Sequence, residues 1–156
     1  MPVSKSAKQP AKTAVSQGLN QLLADYQVLY QKLRNYHWNV SGPMFFGLHA
    51  KFEELYTDAA LKVDEIAERV LSMGGRPVST LKGQLALARL EEDAGTPTSD
   101  EMVRTLQGDL ECLNGALRVA SAEAGKLGDV ATANLLDGYA DGQEKTVWML
   151  RAFLAA

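Results

Sequence analysis

Among its 156 residues the chain has a single cysteine, Cys112. One thiol cannot close an intrachain disulfide, and there is no cysteine pair for zinc. Set between Leu110 and Leu113, Cys112 reads as a small buried hydrophobe on a helix. Histidine is nearly as scarce, with only His37 and His49. No apolar run approaches the roughly eighteen residues of a membrane span. Met1 to Asn20 carries lysines but no apolar stretch of the secretory kind, so a cytoplasmic location is expected. Nothing reads as a strand, and no internal repeat is visible. Hydrophobic residues make up 46% and charged residues 22% of the chain. In a chain of this length that suits one globular domain with a core of its own.

Net charge is −3, unevenly spread. Lys5, Lys8 and Lys12 precede any acid, which leaves −6 for the remainder. Residues 1–14 mix Lys, Ser, Pro and Ala with little to bury, and read as a disordered basic tail ahead of a domain over 15–156. From Val15 to Trp38, Leu19, Leu22, Leu23, Tyr26, Leu29, Tyr30 and Leu33 recur at helical spacing until Asn39–Pro43 breaks the pattern. A second long helix is expected from about Phe46 to Met73, stopped by Gly74-Gly75 and Pro77. In the long connection that follows, Thr80 to Leu90 can form a short helix with Leu81, Leu85 and Leu90 on one side. Thr98 to Glu101 reads as the start of a third long helix that runs to about Ala124, and Asp129 as the cap of a fourth. The fold expected is all-α: a four-helix bundle with a short extra helix between its second and third long helices.

The second helix divides into three arcs at about 100° per residue. Leu48, Phe52, Leu55, Ala59, Val63, Ile66, Val70 and Met73 form a core stripe. Lys51, Glu54, Asp58, Lys62, Glu65 and Arg69 read as a solvated face. The third arc mixes His49, Glu53, Asp64 and Glu68 with Ala60, Ala67 and Leu71. Small residues admit another helix, so this arc reads as a subunit interface with chemistry built into it. His49 and Glu53 are four apart and can grip one ion, as can Asp64 and Glu68. Glu53 and Asp64 stand eleven residues apart, roughly 16 Å along a helix, too far for one ion to bridge. An antiparallel pairing of two copies, with its twofold axis near residues 58 and 59, sets His49 against Glu68 and Glu53 against Asp64 and makes two equal sites. A hairpin of the first two helices brings His37 to the same place.

Two imidazoles and three carboxylates without a thiolate suit Fe(II), Mn(II) or Zn(II), with zinc a competitor for iron. Carboxylates favour the ferric state and so the oxidation of bound Fe(II). An ordinary di-iron bundle holds its ions inside one subunit with Glu-x-x-His pairs, and this chain has none.

Three stretches carry a resemblance to a known family. They are Tyr36-His37-Trp38-Asn39-Val40, His49-Ala50-Lys51-Phe52-Glu53-Glu54-Leu55-Tyr56, and Asp64-Glu65-Ile66-Ala67-Glu68-Arg69 before Gly74-Gly75. With the helix order and the Trp148-Met149-Leu150 end, they resemble the Dps family, the DNA-binding ferritin-like proteins of starved bacterial cells. The resemblance implies a ferritin-like fold and a hollow dodecameric shell. It implies ferroxidase chemistry, Fe(II) oxidised by hydrogen peroxide or O2 at intersubunit sites, with ferric mineral stored inside and DNA protected from oxidative damage. Carried over by position, His37, His49 and Glu53 come from one subunit and Asp64 and Glu68 from the other. Many relatives have Asp at the position of Glu53. Trp38 would lie beside the site, in a packing role or as a quencher of radicals. Acidic pores in the family lie near the start of the last helix, where this chain has Asp129 and Asp137 but Asn134 in place of a frequent Asp. Lys5, Lys8 and Lys12, repeated around a shell, would bind DNA without sequence preference and place the protein at the nucleoid. The competing reading is a structural DNA-packing protein whose metal site is vestigial or holds zinc.

Overall fold

A computed structural model of the chain describes residues 8–155. Five helices follow one another: α1 (Lys8–Asn39), α2 (Phe45–Ser72), the short α3 (Leu81–Leu87), α4 (Ser99–Lys126) and α5 (Val130–Leu154), with no strand among the described residues. α1 packs along α2 and α4 along α5, while α3 lies against α1. The four long helices enclose one apolar core, with Leu19, Leu22, Leu33, Phe52, Ile66, Leu106, Leu113, Leu117 and Leu136 essentially sealed from water. No described helix is long and apolar enough to cross a membrane.

The helix ends follow local chemistry. Gly74 (φ +83°) closes α2, its N–H bonding the carbonyl of Leu71 while that of Gly75 reaches Val70. This paired closure needs a left-handed residue, which glycine supplies without strain. Thr98 and Glu101 form a reciprocal capping box at the start of α4.

Three details depart from expectation. α1 begins at Lys8, seven residues ahead of Val15, so the expected tail is helical over 8–14. Ala, Lys and Gln favour the helix, Pro10 falls in the first turn where its missing N–H costs nothing, and extending a packed helix needs no new nucleus. The rest of that tail, with Lys5, lies outside the described residues. Leu81 and Leu85 share a face of α3, but it is an exposed one, while Leu90 is buried beyond the helix end. Cys112 is exposed, not buried. It stands about 200° round the helix from Leu110, and only the face holding Leu110 and Leu113 meets the core.

Candidate metal centre

α1 ends and α2 begins across a turn that includes Gly42 (φ +100°). The turn sets the two helices antiparallel and brings the two histidines face to face. Their rings stack with centroids 3.7 Å apart and planes within 14°. Each Nδ1 bonds the other's backbone: His37 Nδ1 to the His49 carbonyl and His49 Nδ1 to the His37 carbonyl, both at 2.7 Å. A carbonyl only accepts, so both Nδ1 atoms carry the proton. In the neutral ring that leaves the lone pair on Nε2, the tautomer a metal needs. The carbonyl of His37 also lies in the last turn of α1, where intrahelical donors run out. His49 therefore caps α1 while presenting Nε2. A ring nitrogen coordinates within its own plane, and the planes of two stacked rings do not converge on one point. Within one chain the two Nε2 atoms therefore do not converge on a single ion.

The surroundings fix both rings. Phe45 stacks on His49 at 5.0 Å, and Tyr56 meets His37 edge-on at 5.3 Å. His37 is buried and His49 half-buried, while Glu53, Asp64 and Glu68 are exposed on α2. Ala60, Leu61 and Leu71 are exposed on the same helix. Among the described residues, no three His, Cys, Asp or Glu side chains gather closely enough in one chain to hold a metal ion. The structure thus brings His37 and His49 together, keeps Glu53 one turn from His49, and leaves Asp64 and Glu68 further along α2. Trp38 is 57% exposed and lies under the Arg34 guanidinium at 4.8 Å.

The arc expected to be solvated is exposed at Glu54, Asp58 and Glu65 but partly buried at Lys51, Lys62 and Arg69. α5 runs beside it and engages it. Lys62 pairs with Asp58, and its ammonium lies over the rings of Tyr26 and Tyr139 at 5.7 and 5.3 Å. The Tyr139 hydroxyl donates to Glu65, and the Tyr26 hydroxyl to Gln143, whose amide donates on to Asn114. Burial, joined by the nearby carboxylates, pushes both phenols far up, so they remain donors. A cavity of about 450 Å³ opens here, lined on α2 by Glu54, Asp58, Lys62 and Glu65. Inside the chain Glu54 is tied to Lys51, Asp58 to Lys62 and Glu65 to Tyr139.

Of the two acids considered for a pore, Asp129 is committed elsewhere. It caps α5 through the Thr132 N–H, takes the Thr132 hydroxyl at 2.6 Å, and pairs with Arg69 at 2.9 Å. Asp137 is exposed on α5, as is Asn134. Burial pulls the Asp129 carboxyl up, but Thr132 and Arg69 outweigh it and hold the group below the ordinary carboxylate range. A lowered pKa means stability that is present above the unfolded value, about 3.9, and lost as pH falls through the lowered one. The melting temperature should therefore drop less between about pH 5 and pH 3 in Asp129→Asn than in the wild type. Parallel melting curves across that range would show that Asp129 carries no such linkage.

Residues 16–156 match the family described as the ferritin-like domain. A DNA protection during starvation protein of Brevibacillus brevis is 51% identical over 136 residues, 87% of this chain and 91% of that protein. The crystal structure of a Dps protein from Bacillus brevis superposes with a TM-score of 0.92 at 48% identity, covering 94% of this chain and 98% of that one. The Dps protein of Vibrio cholerae O1, described as a member of a broad superfamily of ferritin-like diiron-carboxylate proteins, gives a TM-score of 0.90 at 41% identity, covering 93% and 91%.

Proposed function

This chain belongs to the Dps family of ferritin-like proteins, and on that footing we propose that it is a ferroxidase that oxidises Fe(II) and stores the ferric product inside a dodecameric shell. The observation that carries the reading is the reciprocal pair of histidine-to-carbonyl bonds, which leaves two coordinating Nε2 atoms side by side. Ferrous iron is the substrate. His37, His49 and Glu53 of one subunit meet Asp64 and Glu68 of a second across the exposed face of α2. Two ferrous ions held there give up one electron each. Hydrogen peroxide takes both electrons and two protons and leaves as two waters; O2 is the alternative oxidant. Three carboxylates offset the added positive charge of the ferric state. The rings supply ligation without a proton change at Nδ1, because both Nδ1 protons are held by carbonyls. Zinc fits the same donors and has no ferric-like state, so it competes and blocks.

Fe(II) added without oxygen, then peroxide, tests this. Ferric absorbance should rise faster than in buffer, with the iron remaining soluble in a shell-sized particle. Oxidation at the buffer rate with precipitated iron would reject it.

A second reading, non-specific DNA binding, draws on the name borne by the Brevibacillus brevis relative and on exposed Lys12 near the start of α1. Lys5, Lys8 and Lys12 of every subunit would contact phosphates. Replacing all three with Gln should abolish salt-sensitive retardation of plasmid DNA in gels and leave iron oxidation unchanged. Retardation equal to the wild type would exclude this basic arm as the DNA contact.

A further inference from the structure

Tyr56 touches both elements that carry the hairpin's ligands. It stands one turn after Glu53 on α2, and its hydroxyl donates to Glu53 Oε1 at 3.5 Å. Its ring meets His37 of α1 edge-on, with planes at 90°. Behind it Tyr30 braces the ring at 6.0 Å, itself under the Arg34 guanidinium at 5.1 Å. Glu53 is exposed, and a glutamate with three free torsions samples many carboxylate positions at an entropic cost to any ion that must collect it. One phenol contact biases that freedom toward one carboxylate position. It uses one carboxylate oxygen and leaves Oε2 for an ion.

We propose that Tyr56 is a positioning residue: it aims the Glu53 carboxylate at the ion held by His49 and fixes the plane of the His37 ring. The inference rests on the metal-site reading above. Tyr56 itself touches no iron and acts through these two ligands. The long hydroxyl contact suits this role, since a weak bond steers the carboxylate without competing with the ion for it.

Co(II) added without oxygen to the full-length protein tests the assignment, because its visible absorption reports ligand geometry without any oxidation. Two binding steps per site are expected for the wild type. Tyr56→Phe keeps the ring and loses only the hydroxyl. It should weaken the second step about two- to fivefold and shift its absorption band, with the first step unchanged. In a Glu53→Ala background the same change should have no further effect. Tyr56→Leu, which also removes the edge contact with His37, should weaken both steps. Wild-type binding by Tyr56→Phe would overturn the proposal. So would an equal weakening with and without Glu53, which would mean that Tyr56 merely packs. If the wild type itself takes up no Co(II), the metal-site reading fails and this inference with it.

Discussion

Replacing His37 and His49 together with alanine should bring ferrous oxidation down to the rate in buffer, a loss of at least about a hundredfold, while the helices remain. On the site proposed above both rings are ligands, and each ring's Nδ1 bonds the other residue's carbonyl. The substitution removes two Nε2 donors and two Nδ1–H bonds at once. It also leaves the His37 carbonyl at the end of α1 without its cap. Two hydrogen bonds at about 1 kcal/mol each, plus the lost stacking with Phe45, set the stability cost at roughly 2–4 kcal/mol. Ferric absorbance after peroxide addition and helical circular dichroism read the two effects separately. Oxidation that persists at the original rate would move the site away from the hairpin. Either single substitution should remove one ion position and disturb the other, because the remaining ring loses its stacking partner.

Asp25→Ala should be the most destabilising change far from that site. Asp25 is fully buried on α1. Its carboxylate takes the backbone N–H of Arg89 at 2.5 Å, that of Leu90 at 3.1 Å and the Arg89 Nε at 2.8 Å. Residues 89 and 90 of the connection after α3 are thus pinned to α1 by one side chain. Alanine leaves two backbone donors unsatisfied and the Arg89 guanidinium unpaired, at a cost of about 3–5 kcal/mol. Asparagine keeps an acceptor and should cost less. Thermal melts at one fixed protein concentration measure this, since the proposed assembly would make the midpoint concentration-dependent. A shift of only a degree or two for Asp25→Ala would mean that the connection is held by its other contacts, among them the Asn35 amide on the Asp93 carbonyl and the Tyr36 hydroxyl on the Asp93 carboxylate.

Helix spacing made much of this legible. The apolar stripe of α2 is buried as its period requires, from Leu48 and Phe52 to Ile66 and Val70. The meeting of His37 and His49 follows from a short turn between antiparallel helices. What one helix cannot show is which neighbour covers its polar arc. Lys62, Glu65 and Arg69 look solvated on α2 alone, and only the placement of α5 reveals Tyr139, Thr132 and Asp129 as their partners. Asp25 was invisible for the same reason: an acid within an apolar run gives no sign of the backbone donors it will meet sixty-four residues later. The reciprocal histidine bonds depend on ångström-scale geometry that spacing does not encode. Apolar sequence neighbours do not bury Cys112, because its angle round α4 turns it away from the face that holds Leu110 and Leu113.

The separation of the ligands along α2 has a consequence for how the protein behaves as it is made. A newly synthesised subunit carries a finished histidine hairpin and, roughly 22 Å further along α2, two acids with nothing to grip. On the pairing proposed above, such a subunit is chemically silent toward iron and oxidant. Reactivity arrives only when two chains dock, and the same docking faces the product toward an enclosed space. Below the concentration at which dimers persist, specific activity should fall with dilution. Quaternary structure then acts as an on-switch that keeps peroxide and ferrous ions from meeting on an orphan chain.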